Sequence, residues 1–224
     1  MDPHSSNLIL TPPSFGPLLF NPQGSPSDEA RTDVGFILCT EAIPKKNLGV
    51  AIEWAASTEA PFFCSPSDAD RLEREGFGAY RFQRIQSYRE LGFQGGSLIF
   101  HPASGPRPKG FRGILRDLGD ALGWGKRSAF HVVVKPMRGE TTLYLSTPYV
   151  DSLEWQLLTD SKPKLVIGSA SYPVEAWWGL SERFGYSIVR ADTLTSAPGQ
   201  GDASENAEAS QAWLSKVSPA SSQF

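Results

Sequence analysis

Imidazole, thiol and excess positive charge are all scarce in this chain of 224 residues, which carries three histidines, two cysteines and a formal net charge of −3. Each scarcity removes a class of function. The two thiols, Cys39 and Cys64, are too few for a disulfide-stapled scaffold, and both end short apolar runs, where cysteine packs as a small hydrophobe. A reactive thiol at Cys39 is the sharper alternative. Without a basic excess there is no global field to hold a phosphate backbone, so no nucleic-acid partner is expected. No apolar run approaches the roughly 18 residues of a membrane span, and residues 1–10 have neither the basic start nor the apolar core of a signal peptide. The expectation is a cytoplasmic protein with no membrane partner.

What the chain does have is apolar content, 40% hydrophobic and 11% aromatic, enough to bury a substantial core. Its organising stretch is 34–49. Phe36, Ile37, Leu38 and Cys39 form a short continuous apolar run that suits a strand buried on both faces, and Leu48, Ala51, Ile52 and Ala55 recur at helical spacing over 48–57. The charged loop between them lies at a strand's carboxyl end. Layered α/β proteins place their chemistry at such corners, because the strand fixes the loop and the helix N-terminus offers free N–H groups.

Along the rest of the chain, 7–10 and 18–21 read as an opening hairpin and 61–64 as a buried strand. Ser65 reads as the N-cap of a helix with Pro66 in its first turn, ending at Gly76. Alternation over 80–85 and 97–102 predicts two more strands. Ile114, Leu115, Leu118 and Leu122 share one helical face inside an insertion over 103–125. Residues 129–135 and 142–146 read as a hairpin, and 152–158, 165–168, 174–184 and 187–190 as helix, strand, helix and strand. Residues 1–195 then make one domain, and 196–224, rich in Ser, Ala and Gly, a mobile tail.

Ile-Leu-Cys-Thr followed by a charged loop and Leu-Gly resembles the signature corner of the metallo-β-lactamase superfamily, where a strand ends in Thr-His-x-His-x-Asp-His and runs into a helix. In that register Thr40 matches the Thr. Glu41 stands at the first His, Ile43 at the second, Lys45 at the Asp and Lys46 at the third His, so none of the four ligands is kept. The order of elements over 60–77 and 142–169 is similar to that of small superfamily members. The resemblance implies an α/β fold, a compact four-layer αβ/βα sandwich, and places the remaining ligand positions near Ser104, near Thr147 with Asp151 the nearest carboxylate, and near Ser169–Ser171.

The resemblance implies a zinc hydrolase, yet a zinc site needs imidazole and carboxylate ligands with an open position for acidified water. Three histidines cannot supply the usual set, and only His101 sits near a region expected to face the site. Hydroxyls are poor zinc ligands, and ammonium groups at Lys45 and Lys46 oppose a divalent cation. No metal cofactor is therefore expected. The reading is a non-catalytic or metal-free binding or structural module, with Lys45 and Lys46 ahead of a helix N-terminus as a candidate site for a small anionic ligand. The alternative is a divergent metallo-hydrolase-like enzyme acting on a small ester, lactone or phosphate-bearing substrate, with metal ligands drawn from Glu41, His101 and Asp151 or with no metal at all.

Overall fold

The computed structural model describes residues 7–26, 34–78, 81–104 and 129–195. These residues build two sheets. The first runs β1 (Leu8–Leu10), β2 (Leu18–Phe20), β3 (Phe36–Leu38), β4 (Phe62–Cys64) and β5 (Phe82–Arg84), antiparallel between β1 and β2 and parallel thereafter. The second runs β6 (Glu90–Phe93), β7 (Gly96–Pro102), β8 (Phe130–Pro136), β9 (Thr142–Leu145), β10 (Leu165–Gly168) and β11 (Ile188–Arg190), antiparallel from β6 to β9 and parallel from β9 to β11. Helices α1 (Leu48–Ser57) and α2 (Pro66–Arg74) cross between parallel strands of the first sheet, α3 (Ser152–Thr159) and α4 (Val174–Phe184) between those of the second, and α5 (Ala191–Thr195) follows β11.

Successive strand residues point to opposite faces, so each buried strand feeds two cores. Leu18, Phe20, Leu38 and Phe63 meet Leu98, Phe100, Val132 and Val134 between the sheets. Their neighbours Leu19, Ile37, Cys39, Phe62 and Cys64 pack outward against Trp54 of α1 and Leu72 of α2. On the far side Val133, Leu143, Leu145 and Val166 pack against Trp155 and Leu158 of α3 and Trp177 and Leu180 of α4. The result is the expected four-layer αβ/βα order. Gly168 is needed where α4 presses on β10, since a Cβ there would lie 2.6 Å from the Trp177 ring.

The helix expected over 48–57, the strand over 165–168 and the helix over 174–184 appear with those bounds. Ser65 caps α2 by accepting from the Asp68 N–H, and the helix stops at Arg74, two residues before the expected glycine. The strand expected over 80–85 shortens to β5. Two elements were not anticipated. β6 is a half-exposed edge held by antiparallel pairing with β7, and α5 is a single short turn region of five residues. The amphipathic helix of the insertion and the C-terminal tail lie outside the described residues.

Candidate functional site

The corner begins where β3 gives out. Thr40 is fully buried, its N–H donates to Asn21 Oδ1 at 2.8 Å, and its carbonyl accepts from the Phe130 N–H at 2.7 Å. It therefore ties the first sheet to the second. Asn21 follows β2 in the left-handed region at φ 45°, a conformation Asn tolerates better than most residues. Its amide group accepts from the Thr40 and Glu41 N–H groups, and donates to Thr40 Oγ1 at 2.9 Å, Glu41 Oε1 at 3.2 Å and the Tyr144 hydroxyl oxygen at 3.2 Å.

Glu41 is the centre of the arrangement. Ser169 Oγ donates to its Oε1 at 2.5 Å and Ser171 Oγ to its Oε2 at 2.7 Å. Burial pushes the Glu41 carboxyl above the usual carboxylate range, and the bonds from Ser169 and Ser171 pull it part of the way back. The Tyr144 phenol is held up by its own burial first and by the Glu41 charge second. Ser169 is itself fixed, since its N–H donates to Leu145 O and its carbonyl accepts from Trp177 Nε1.

The other positions of the expected motif take different roles. Ile43 is buried in the core beneath α1, its N–H donating to Asp68 Oδ2 at 3.3 Å and its carbonyl accepting from Arg71 Nη2. Asp68 also accepts from Ser65 Oγ at 2.8 Å and pairs with Arg71 at 2.9 Å, so α2 is bolted under the loop. Lys45 and Lys46 share a single 3-10 turn (Lys45–Asn47) ahead of α1, and both are exposed. A cavity of about 180 Å³ opens here, lined among others by Asn21, Gln23, Glu41, Lys46, Asn47 and Ser171. Lys46 reaches it and Lys45 does not.

The remaining candidates gather elsewhere. His101 on β7 pairs directly with His131 on β8, and both point away from the cavity, toward the α3 side of the second sheet. Burial holds His101 below the usual imidazole range, with His131 beside it as a smaller cause. His131 is fully buried and accepts from the Ser146 N–H at Nδ1, which puts the proton of a neutral ring on Nε2, 3.4 Å from Glu154 Oε1 without forming a hydrogen bond. Ser104 N–H donates to Glu154 Oε1, and Thr147 Oγ1 donates to the Ser104 carbonyl at 2.8 Å. Asp151 caps α3 by accepting from the Glu154 N–H. Of the expected pocket residues, only Ser169 meets Glu41.

Glu41, His101 and Asp151 thus do not converge, and the described residues contain no group of three or more His, Cys, Asp or Glu able to hold a metal ion. The corner's donors are hydroxyls, amides and one carboxylate, a set unsuited to zinc. Cys39 lines the cavity, but burial raises its thiol well above the ordinary value, and Cys64 on the neighbouring strand is pushed up to about 12. Asn21 and Gln23 were missed by the sequence reading. The one local signal was Asn-Pro directly after an apolar run, which marks a turn and not a binding group.

The sequence matches no protein-family model and no curated protein. Among solved structures, the isothiocyanate hydrolase from Delia radicum gut bacteria superposes with a TM-score of 0.55 at 15% identity, covering 93% of this chain and 89% of that one. A protein described as a possible metal-dependent hydrolase from Veillonella parvula DSM 2008 superposes with a TM-score of 0.54 at 15% identity, covering 82% of this chain and 80% of that one. A metallo-β-lactamase from Cronobacter sakazakii aligns at 15% identity and a TM-score of 0.43 over 95% of this chain and 92% of that one. The first two likenesses concern the fold alone, a two-sheet α/β sandwich.

Proposed function

We propose that this protein is a metal-free binding module on a metallo-hydrolase fold, in which the corner recognises a small polar ligand instead of activating water. The observation that carries this reading is the environment of Glu41. At the position where the superfamily pattern calls for the first imidazole, a carboxylate accepts from Ser169, Ser171 and Asn21. Three of its roughly four acceptor directions are met by protein donors, and no second and third ligand of His, Cys, Asp or Glu type stand beside it among the described residues. Ile43, next in the pattern, has no ligand atom and spends its side chain on the core.

The test is metal content per chain, by elemental analysis of protein purified without a metal-binding tag, before and after adding zinc. The expected content is near zero and unmoved by zinc. Stoichiometric zinc, together with a hydrolytic activity lost on chelation, would remove the reading.

A further inference from the structure

The cavity beside Glu41 carries charges of both signs that do not neutralise each other. Glu41 lines one wall and Lys46 another, and among the described residues neither forms an ion pair. We infer that the cavity takes a zwitterion of α-amino acid type, its ammonium on Glu41 and Ser171 and its carboxylate on Lys46. The inference rests on the binding-module reading and names the ligand class of that same site.

Three observations carry it. An ionised carboxylate offers about four acceptor directions, and Glu41 has three protein donors. One direction remains for a ligand N–H. A simple anion would meet the Glu41 charge, and a simple cation would meet Lys46, whereas a molecule bearing both charges leaves no group desolvated and unpaired. The size agrees as well. A cavity of about 180 Å³ has room for a molecule of amino-acid size. At the Lys46 wall α1 begins with no side-chain cap and no acidic residue in its first turn, so no group of that turn competes for a carboxylate.

The experiment is calorimetric titration of the full chain with the free α-amino acids, and with the methyl esters, N-acetyl forms and des-amino acids of those that bind. Heat from at least one free amino acid is expected, with each derivative binding at least tenfold more weakly. Glu41→Gln is expected to bring the free and des-amino forms to similar affinity. Lys46→Met, at an exposed side chain with no hydrogen bond or ion pair among the described residues, is expected to do the same for the free form and its methyl ester. Circular dichroism of both variants checks that they fold. The zwitterion assignment is overturned if no amino acid binds, or if the derivatives or the Lys46→Met variant bind as tightly as the parents. In that case a metal-free chain still leaves the binding-module reading standing, whereas zinc-dependent hydrolysis removes that reading itself.

Discussion

Two polar clusters lie on either side of the Thr40–Phe130 link, and they differ in how completely they are satisfied. Around Glu41, each carboxylate oxygen has a donor, and the group opens onto a cavity. Around His131, which is fully buried, the bonding is incomplete, since His131 Nε2 and Glu154 Oε2 are buried without a hydrogen-bond partner. The first arrangement presents chemistry to a visitor. The second holds β8, the end of β7 and α3 together at some electrostatic cost.

The contrast is most sharply broken at Asn21. Asn21→Ala removes the acceptor for the Thr40 and Glu41 N–H groups and leaves alanine in a left-handed conformation, so a loss of about 3 kcal/mol is expected in urea denaturation. A loss below about 1 kcal/mol would mean that the network adds little to the fold. Next comes Glu154→Ala, which strips the acceptor from Ser104 N–H and the charge beside His131. A loss of about 1–2 kcal/mol is expected by the same measurement, smaller than at Asn21 because the cluster was never fully bonded. An equal or larger loss would reverse the ranking.

Smaller and opposite in sign is Glu41→Gln. A carboxyl whose folded pKa is raised binds protons more readily folded than unfolded, so its ionisation works against folding above the folded pKa and costs nothing below the unfolded one. The variant should melt higher than the parent at pH 8, with the difference closing as the pH falls to about 4. A melting temperature that falls at pH 8 would show that the serine bonds outweigh burial. By the same direction, ligand binding through ionised Glu41 should weaken in acid. Least of all, Lys45→Ala should change stability by under about 0.5 kcal/mol and leave calorimetric binding intact, since its side chain is exposed and off the cavity. A loss of binding there would move the anionic subsite from Lys46 to Lys45.

How much of this was legible in the sequence depended on range. The start of α2 was readable because Ser65 bonds to Asp68, three residues on, and the bounds of α4 because Trp177 and Leu180 repeat at helical spacing up to a glycine in the left-handed region, Gly185. β6 was not readable. Its Glu-Leu-Gly-Phe has little strand character of its own and is defined by the partner β7. The absence of imidazole ligands at the corner was plain, and so were the residues standing in their places, but not that Ser169 and Ser171 bond to Glu41, because they lie 128 and 130 residues from it and only the folded sheets bring them together. His101 shows the converse error of proximity. Its position near a motif strand suggested the site, but the two-residue alternation of β7 turns it to the other face.

The Thr40 main chain is held from both sides, by Asn21 within its own sheet and by Phe130 across the gap. One wall of the cavity is therefore standing before any guest arrives. Little ordering entropy is left to be lost there on binding, so association should be limited by diffusion and charge, and selectivity among guests should show itself in how slowly they leave.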